Sequence, residues 1–141
     1  MCYGSDMIRQ LDEAVMVSGQ VAPREVAGIA AQGVTVLVNN RPDGEDPGQP
    51  AAAQIEEAAA AAGISYHYVP IIRGIGPADV EAMQQALREA EGGKLLAFCR
   101  SGTRSAFALA LAKRELGASA EEVQRSLAGA GIDAGPIAHL L

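Results

Sequence analysis

Tryptophan is missing from this 141-residue chain, and three tyrosines and two phenylalanines are its whole aromatic content. A core with so few rings and so much alanine implies helices packed closely on a sheet. Basic residues are also short: 11 Lys and Arg against 17 Asp and Glu give a formal net charge of −6 and a pI near 4.8. That balance argues against nucleic acid or an anionic membrane as the main partner. Two histidines and two well-separated cysteines, Cys2 and Cys99, make a metal site an unfavoured reading, and no cofactor is expected. Cys2 falls in an N-terminal stretch expected to fray, so no structural disulfide is expected. No apolar run approaches membrane-span length. Residues Met1 to Ser18 carry Asp6, Asp12 and Glu13 and lack the apolar segment of a signal peptide. A reducing cytoplasm is the expected setting, and it suits a free functional thiol.

What remains is 49% hydrophobic and 20% charged, the balance of a soluble globular protein. The length fits one domain, residues 1–141 with a core over about 11–130. Strand and helix signals alternate along it. Val15-Met16-Val17 reads as a short strand, and Pro23 opens a helix through Gln32 that stops at Gly33. Val34 to Val38 is a β-branched buried strand, followed by a turn-rich loop from Asn39 to Pro50. Helices are expected over Ala51–Ala62, Ala78–Ala90 and Ala106–Leu116, with strands at Ile64–Pro70 and Lys94–Phe98. Ser119 and Glu122 form a capping box that starts a further helix to about Gly129, and Asp133 to Leu141 reads as a short terminal helix. The alternation predicts an α/β domain with a mostly parallel sheet flanked by helices. In such sheets ligands bind beyond the carboxyl ends of the strands. The loops Asn39–Pro50, Ile71–Pro77 and Cys99–Arg104 all leave those ends.

The third of these loops carries the chemistry. Cys99-Arg100-Ser101-Gly102-Thr103-Arg104-Ser105 lies between a strand and a helix. Loop amides and the first helical turn would point at whatever sits above Cys99, and the helix dipole adds about half a positive charge. With Arg100 and Arg104 nearby, that field should favour a thiolate, the nucleophilic form. Gly102 can take the positive φ that lets successive amides converge. Arg104 can grip a tetrahedral oxyanion with two parallel hydrogen bonds, which lysine cannot. A lone cysteine at a strand end is more often a buried structural residue. Two arginines within five residues fit that inert role poorly.

Together with Asn40-Arg41-Pro42-Asp43-Gly44-Glu45 and Ser18-Gly19-Gln20, the Cys99 loop resembles one family. It is the phosphatase-like domain of the β-lactamase hydrolase-like proteins, and the resemblance runs from about Leu11 to about Leu116. It implies a compact fold like that of dual-specificity, cysteine-dependent phosphatases. It implies Cys99 as nucleophile, with Ser101, Gly102, Thr103 and Arg104 as the anion-binding loop and Arg41 to Glu45 as a neighbouring wall. Family members look like partners of a persulfide dioxygenase or another sulfide-oxidising enzyme, and some are described as sulfurtransferases. The spacing departs from that of the phosphatases, which place five residues between Cys and Arg; this chain has four, Arg100 to Thr103. The shorter loop looks like that of rhodanese sulfurtransferases, although their N-terminal signature is absent.

These features set three expectations. The first is sulfur transfer through a Cys99 persulfide, with a small anionic or persulfide substrate. The leaving sulfite or thiolate needs no proton, and the Ile71–Pro77 loop, where a phosphatase would keep its general acid, has no carboxylate. The second is a phosphatase forming a phosphocysteine on Cys99, with Asp43 (or Glu45 or Asp46) reaching in as the acid. The third is a non-catalytic module that binds an anion or a thiol partner. Arg100, Ser105 and Arg41 join the candidate anion-binding set under the first two. Asp79 is expected to serve a helix N-terminus, and His67, Tyr66 and Tyr68 to pack on the sheet.

Overall fold

Residues 8–141 are described by the computed structural model; Cys2, for which no disulfide was expected, lies outside them. Five strands form one sheet: β1 (Arg9–Gln10), β2 (Val15–Ser18), β3 (Val34–Asn39), β4 (Ser65–Tyr68) and β5 (Lys94–Phe98), in the order β1-β2-β5-β3-β4. The neighbours β2–β5, β5–β3 and β3–β4 are parallel, as the strand–helix alternation predicts. Only β1 runs antiparallel, pairing Arg9 with Val17 and Gln10 with Met16. Two residues are too few to show a period, so β1 left no signal in the sequence.

Side chains alternate across the sheet, and both faces are covered, which explains why β3 and β5 read as continuous apolar runs. Val36, Val38, Leu95 and Ala97 pack with Met83, Leu109 and Leu127 on one face. Leu37, Leu96 and Phe98 meet Ile29 and Ile55 on the other. The second face is closed by α1 (Val26–Ala31) and α2 (Ala52–Ala62). The first is closed by α3 (Pro77–Glu89), α4 (Thr103–Glu115) and α5 (Ala120–Gly129). In α4, Ala106, Ala108, Ala110 and Ala112 are buried with Leu109 and Leu111. Their methyl groups allow a close helix–sheet approach, and removing Leu109 to Ala would cost about 2–5 kcal/mol.

Several boundaries differ from expectation for local reasons. The Pro23 segment divides into a 3₁₀ turn, Pro23–Glu25, and the short α1. β4 stops at Tyr68 because Pro70 has no amide to donate, yet Val69 N still donates to Asn39 O at 2.9 Å and Ile71 N to Asn40 O at 3.0 Å. The C-terminal helix is a 3₁₀ turn, Gly135–Leu140. The Ser119 capping box is present, with Glu122 N donating to Ser119 Oγ at 3.0 Å. Most consequentially, α4 begins at Thr103 rather than Ala106, so Arg104 belongs to its first turn. Among the described residues no helix is long and apolar enough to cross a membrane.

The register sets up the site. Ser18 and Asn39 both pair with Phe98, and Asn39 also pairs with Tyr68. Four parallel strands therefore end level, and the loops after them emerge side by side.

Candidate active site

Cys99 follows the last residue of β5 and is fully buried. Its amide donates to Ser18 O at 3.3 Å, and its Sγ accepts the amide of Gly102 at 3.1 Å. Gly102 is the N-cap of α4 with φ +95°. A Cβ there would sit 3.3 Å from Ser18 O, so both the left-handed backbone and the contact with β2 select glycine. The turn is stitched further by Ser101 Oγ donating to Thr103 Oγ1 at 3.3 Å. The sulfur thus faces an amide at the positive end of a thirteen-residue helix.

Arg104, in the first turn of α4, reaches two other loops. Its Nη1 and Nη2 donate to the Glu45 carboxylate at 2.6 and 2.8 Å, and Nη1 also donates to Ile71 O at 2.8 Å. The Arg104 bonds, helped by Arg41, hold the Glu45 carboxyl at about 2, against a desolvation effect of opposite sign. The hydrogen bond to Glu45 in turn raises the pKa of Arg104, and Cys99 acts in the same direction.

Three residues expected at the anion site, Arg41, Arg100 and Ser105, and the candidate acid Asp43 have other partners in the structure. Arg41 is buried, with Nε on Glu45 at 3.0 Å, Nη1 on Gln20 Oε1 at 3.0 Å and Nη2 on Asp46 at 2.6 Å. It holds together the carboxylates of the loop after β3. Arg100 turns outward with 69% of its side chain exposed, and its Nε lies 3.8 Å from Asp46. Ser105 Oγ is buried and donates to Asn40 Oδ1 at 2.8 Å. Asp43 Oδ1 accepts the amide of Ala52 at 2.7 Å, capping the start of α2. The structure brings Cys99, Gly102 and Arg104 together, with Ser101 and Thr103 completing the turn between them.

Sequence reasoning missed Asn40, Gln20 and the Ile71 carbonyl. Asn40 is fully buried; besides receiving Ser105, its Nδ2 donates to Val69 O at 2.9 Å, so it ties together three of the loops. The signal available was an Asn-Asn pair closing a β-branched run, where apolar strand gives way to amides that need partners. A cavity of about 730 Å³ between α3 and α4, lined by Ile75, Val80, Leu111 and Leu140, includes neither Cys99 nor Arg104.

The model of the β-lactamase hydrolase-like protein, phosphatase-like domain, matches residues 7–116. The chain belongs to this family. A β-lactamase hydrolase-like protein of Agrobacterium fabrum is 40% identical over 97 residues, covering 68% of this chain and 22% of that protein. One from Xylella fastidiosa is 38% identical over 107 residues, covering 75% of this chain and 25% of its own length. The chain therefore spans about a quarter of the curated relatives it matches. Among solved structures, a Neisseria meningitidis protein described provisionally as a phosphatase is 31% identical, with a TM-score of 0.79 and 96% of each chain covered. TpbA of P. aeruginosa, at 15% identity, a TM-score of 0.65 and coverage of 99% of this chain and 85% of its own, shares the fold alone. The phosphatase-like domain thus has the architecture of the cysteine-dependent phosphatases, as the motif resemblance implied.

Proposed function

We propose that the protein is a cysteine-dependent hydrolase of the phosphatase type, in which Cys99 attacks the phosphorus of a small phosphorylated substrate. One observation carries this reading: Cys99 Sγ accepts the Gly102 amide at the N-terminus of α4, the helix whose first turn carries the Arg104 fork. The amide and the helix dipole stabilise negative charge on sulfur and on phosphoryl oxygens, and Arg104 supplies two parallel donors for those oxygens. In the arrangement seen here Cys99 is covered and Glu45 fills the fork. Substrate entry then exchanges the Glu45 carboxylate for phosphoryl oxygens, while Arg41 keeps hold of Glu45. Membership of a phosphatase-like family supports phosphoryl transfer over the sulfur transfer that the loop spacing alone suggests.

Sulfur transfer through a Cys99 persulfide is the second reading, favoured by the four-residue spacing. The short turn brings the Gly102 amide directly onto Sγ, a cradle matched to a single sulfur atom. Coupling to a persulfide dioxygenase or another sulfide-oxidising enzyme belongs to this second reading. Hydrolysis of 4-nitrophenyl phosphate, run beside thiosulfate-to-cyanide sulfur transfer, separates the two. Phosphate release that disappears in Cys99→Ser is the expected result. Sulfane-sulfur turnover without phosphate release would reverse the order, and loss of neither in Cys99→Ser would remove the cysteine from the chemistry.

A further inference from the structure

Among the described residues, the carboxylates of the loop after β3 and Asp79 at the start of α3 all serve as acceptors. Glu45 receives Arg104 and Arg41. Asp46 receives Arg41 Nη2 at 2.6 Å and faces Arg100. Asp43 receives the Ala52 amide at 2.7 Å. Asp79, the first carboxylate after β4, receives the Gly76 amide at 2.9 Å and caps α3. The loop between β4 and α3, which passes Arg104 at the Ile71 carbonyl, reads Val69-Pro70-Ile71-Ile72-Arg73-Gly74-Ile75-Gly76 and has no acidic side chain. His67, on β4, has its Nε2 on Glu89 at 2.7 Å. A carboxyl group that donates a proton must carry one, and protonation removes the negative charge that makes acceptance from these guanidinium and capping-amide donors strong. Displacing Glu45 from Arg104 does not free it, because Arg41 Nε remains 3.0 Å away.

We infer that the site works without a carboxylic general acid, and that its substrates are phosphoryl compounds whose leaving group departs as a stabilised anion: aryl phosphates, acyl phosphates or phosphoanhydrides, as opposed to alkyl phosphates. The inference rests on the phosphatase reading above and specifies its substrate class. In the first step the S–P bond forms as the P–O bond to the leaving group breaks. The leaving oxygen takes the electron pair, RO–PO₃²⁻ and Cys–S⁻ giving Cys–S–PO₃²⁻ and RO⁻. In the second step water adds to phosphorus, the S–P bond breaks, and Cys–S⁻ and H₂PO₄⁻ result, the surplus proton staying on phosphate. General acid catalysis contributes about 10²–10⁴-fold where it operates, and it does so most for poor leaving groups. Its absence therefore sets the substrate range.

The test compares kcat/KM for 4-nitrophenyl phosphate, phenyl phosphate, acetyl phosphate and glycerol 3-phosphate on the intact protein. It is repeated on Asp43→Asn, Asp46→Asn and Asp79→Asn, each of which keeps an oxygen acceptor in place. The expected result is that nitrophenyl and acetyl phosphates exceed glycerol 3-phosphate by about 10²–10⁴-fold, with the ratio unchanged in all three variants. Aryl and alkyl phosphates turned over within about tenfold of each other would overturn the inference while leaving the phosphatase reading intact. So would a variant that selectively slows the poorer leaving groups, since it would identify the acid. Release of phosphate from none of the four compounds would remove the phosphatase reading itself.

Discussion

The carboxylate of Glu45 fills the guanidinium fork of Arg104, with the two nitrogens 2.6 and 2.8 Å from its two oxygens. The two residues are far apart in the chain, and the pair joins the loop after β3 to the first turn of α4. It also occupies the donors that a tetrahedral oxyanion would use.

This ion pair makes stability depend on pH in a defined window. The folded pKa of Glu45, about 2, lies below its ordinary 4.5, so the pair stabilises the fold fully above about 4.5 and loses that contribution as pH falls toward 2. Glu45 keeps 29% of its side chain exposed, which limits the effect to the order of 1 kcal/mol. Urea unfolding of Glu45→Gln and the unaltered chain should show a gap of about that size at pH 7 that narrows below pH 4. A gap independent of pH would mean that the carboxylate charge is not what stabilises the contact.

Arg104→Lys should reduce kcat/KM by about 10²–10³-fold, because an ammonium group cannot present two parallel donors while also reaching Ile71 O. Steady-state kinetics on 4-nitrophenyl phosphate reads this directly. Retention of activity within about threefold would show that a point charge suffices and that planar geometry is irrelevant.

Ser105→Ala leaves Asn40 Oδ1 buried without its 2.8 Å donor. The expected loss of stability is about 1–3 kcal/mol, read as a lower denaturation midpoint at unchanged slope. Ser105→Thr keeps the hydroxyl but adds a methyl group in a fully buried place. Rescue by Thr alone would separate the hydrogen bond from packing. An Ala variant as stable as the parent would contradict the hydrogen-bond account.

Gly102→Ala forces a side chain into φ +95° and sets its Cβ 3.3 Å from Ser18 O. The backbone penalty alone is about 1–2 kcal/mol, and relief requires the turn to move, which displaces the amide from Cys99 Sγ. Activity should fall more than stability does. Equal activity with a lowered Tm would show that the amide–sulfur contact does not matter for turnover.

What the motif alone made legible in the site divides along the range of each interaction. The placement of Cys99, Gly102 and Arg104 at one junction was legible because it depends on neighbours within one strand–turn–helix unit. The partners of Arg41, Arg100, Ser105 and Asp43 were not legible, because each depends on which groups the folded loops bring within reach. A buried guanidinium takes whatever acceptors the fold supplies, and for Arg41 those are Gln20, Glu45 and Asp46. Asp43 took the free amide at the start of α2, and Ser105 the side chain of Asn40.

By itself the chain determined a parallel α/β sheet, a sulfur at the end of β5 and a helix dipole aimed at it, since alternation of apolar residues, turn glycines and caps are local signals. Tertiary structure decided which charges face that sulfur. The level strand ends bring three loops together, and within that contact each buried donor pairs with the acceptor that geometry places nearest. Such pairing depends on distances across the sheet, which no local pattern of residues encodes.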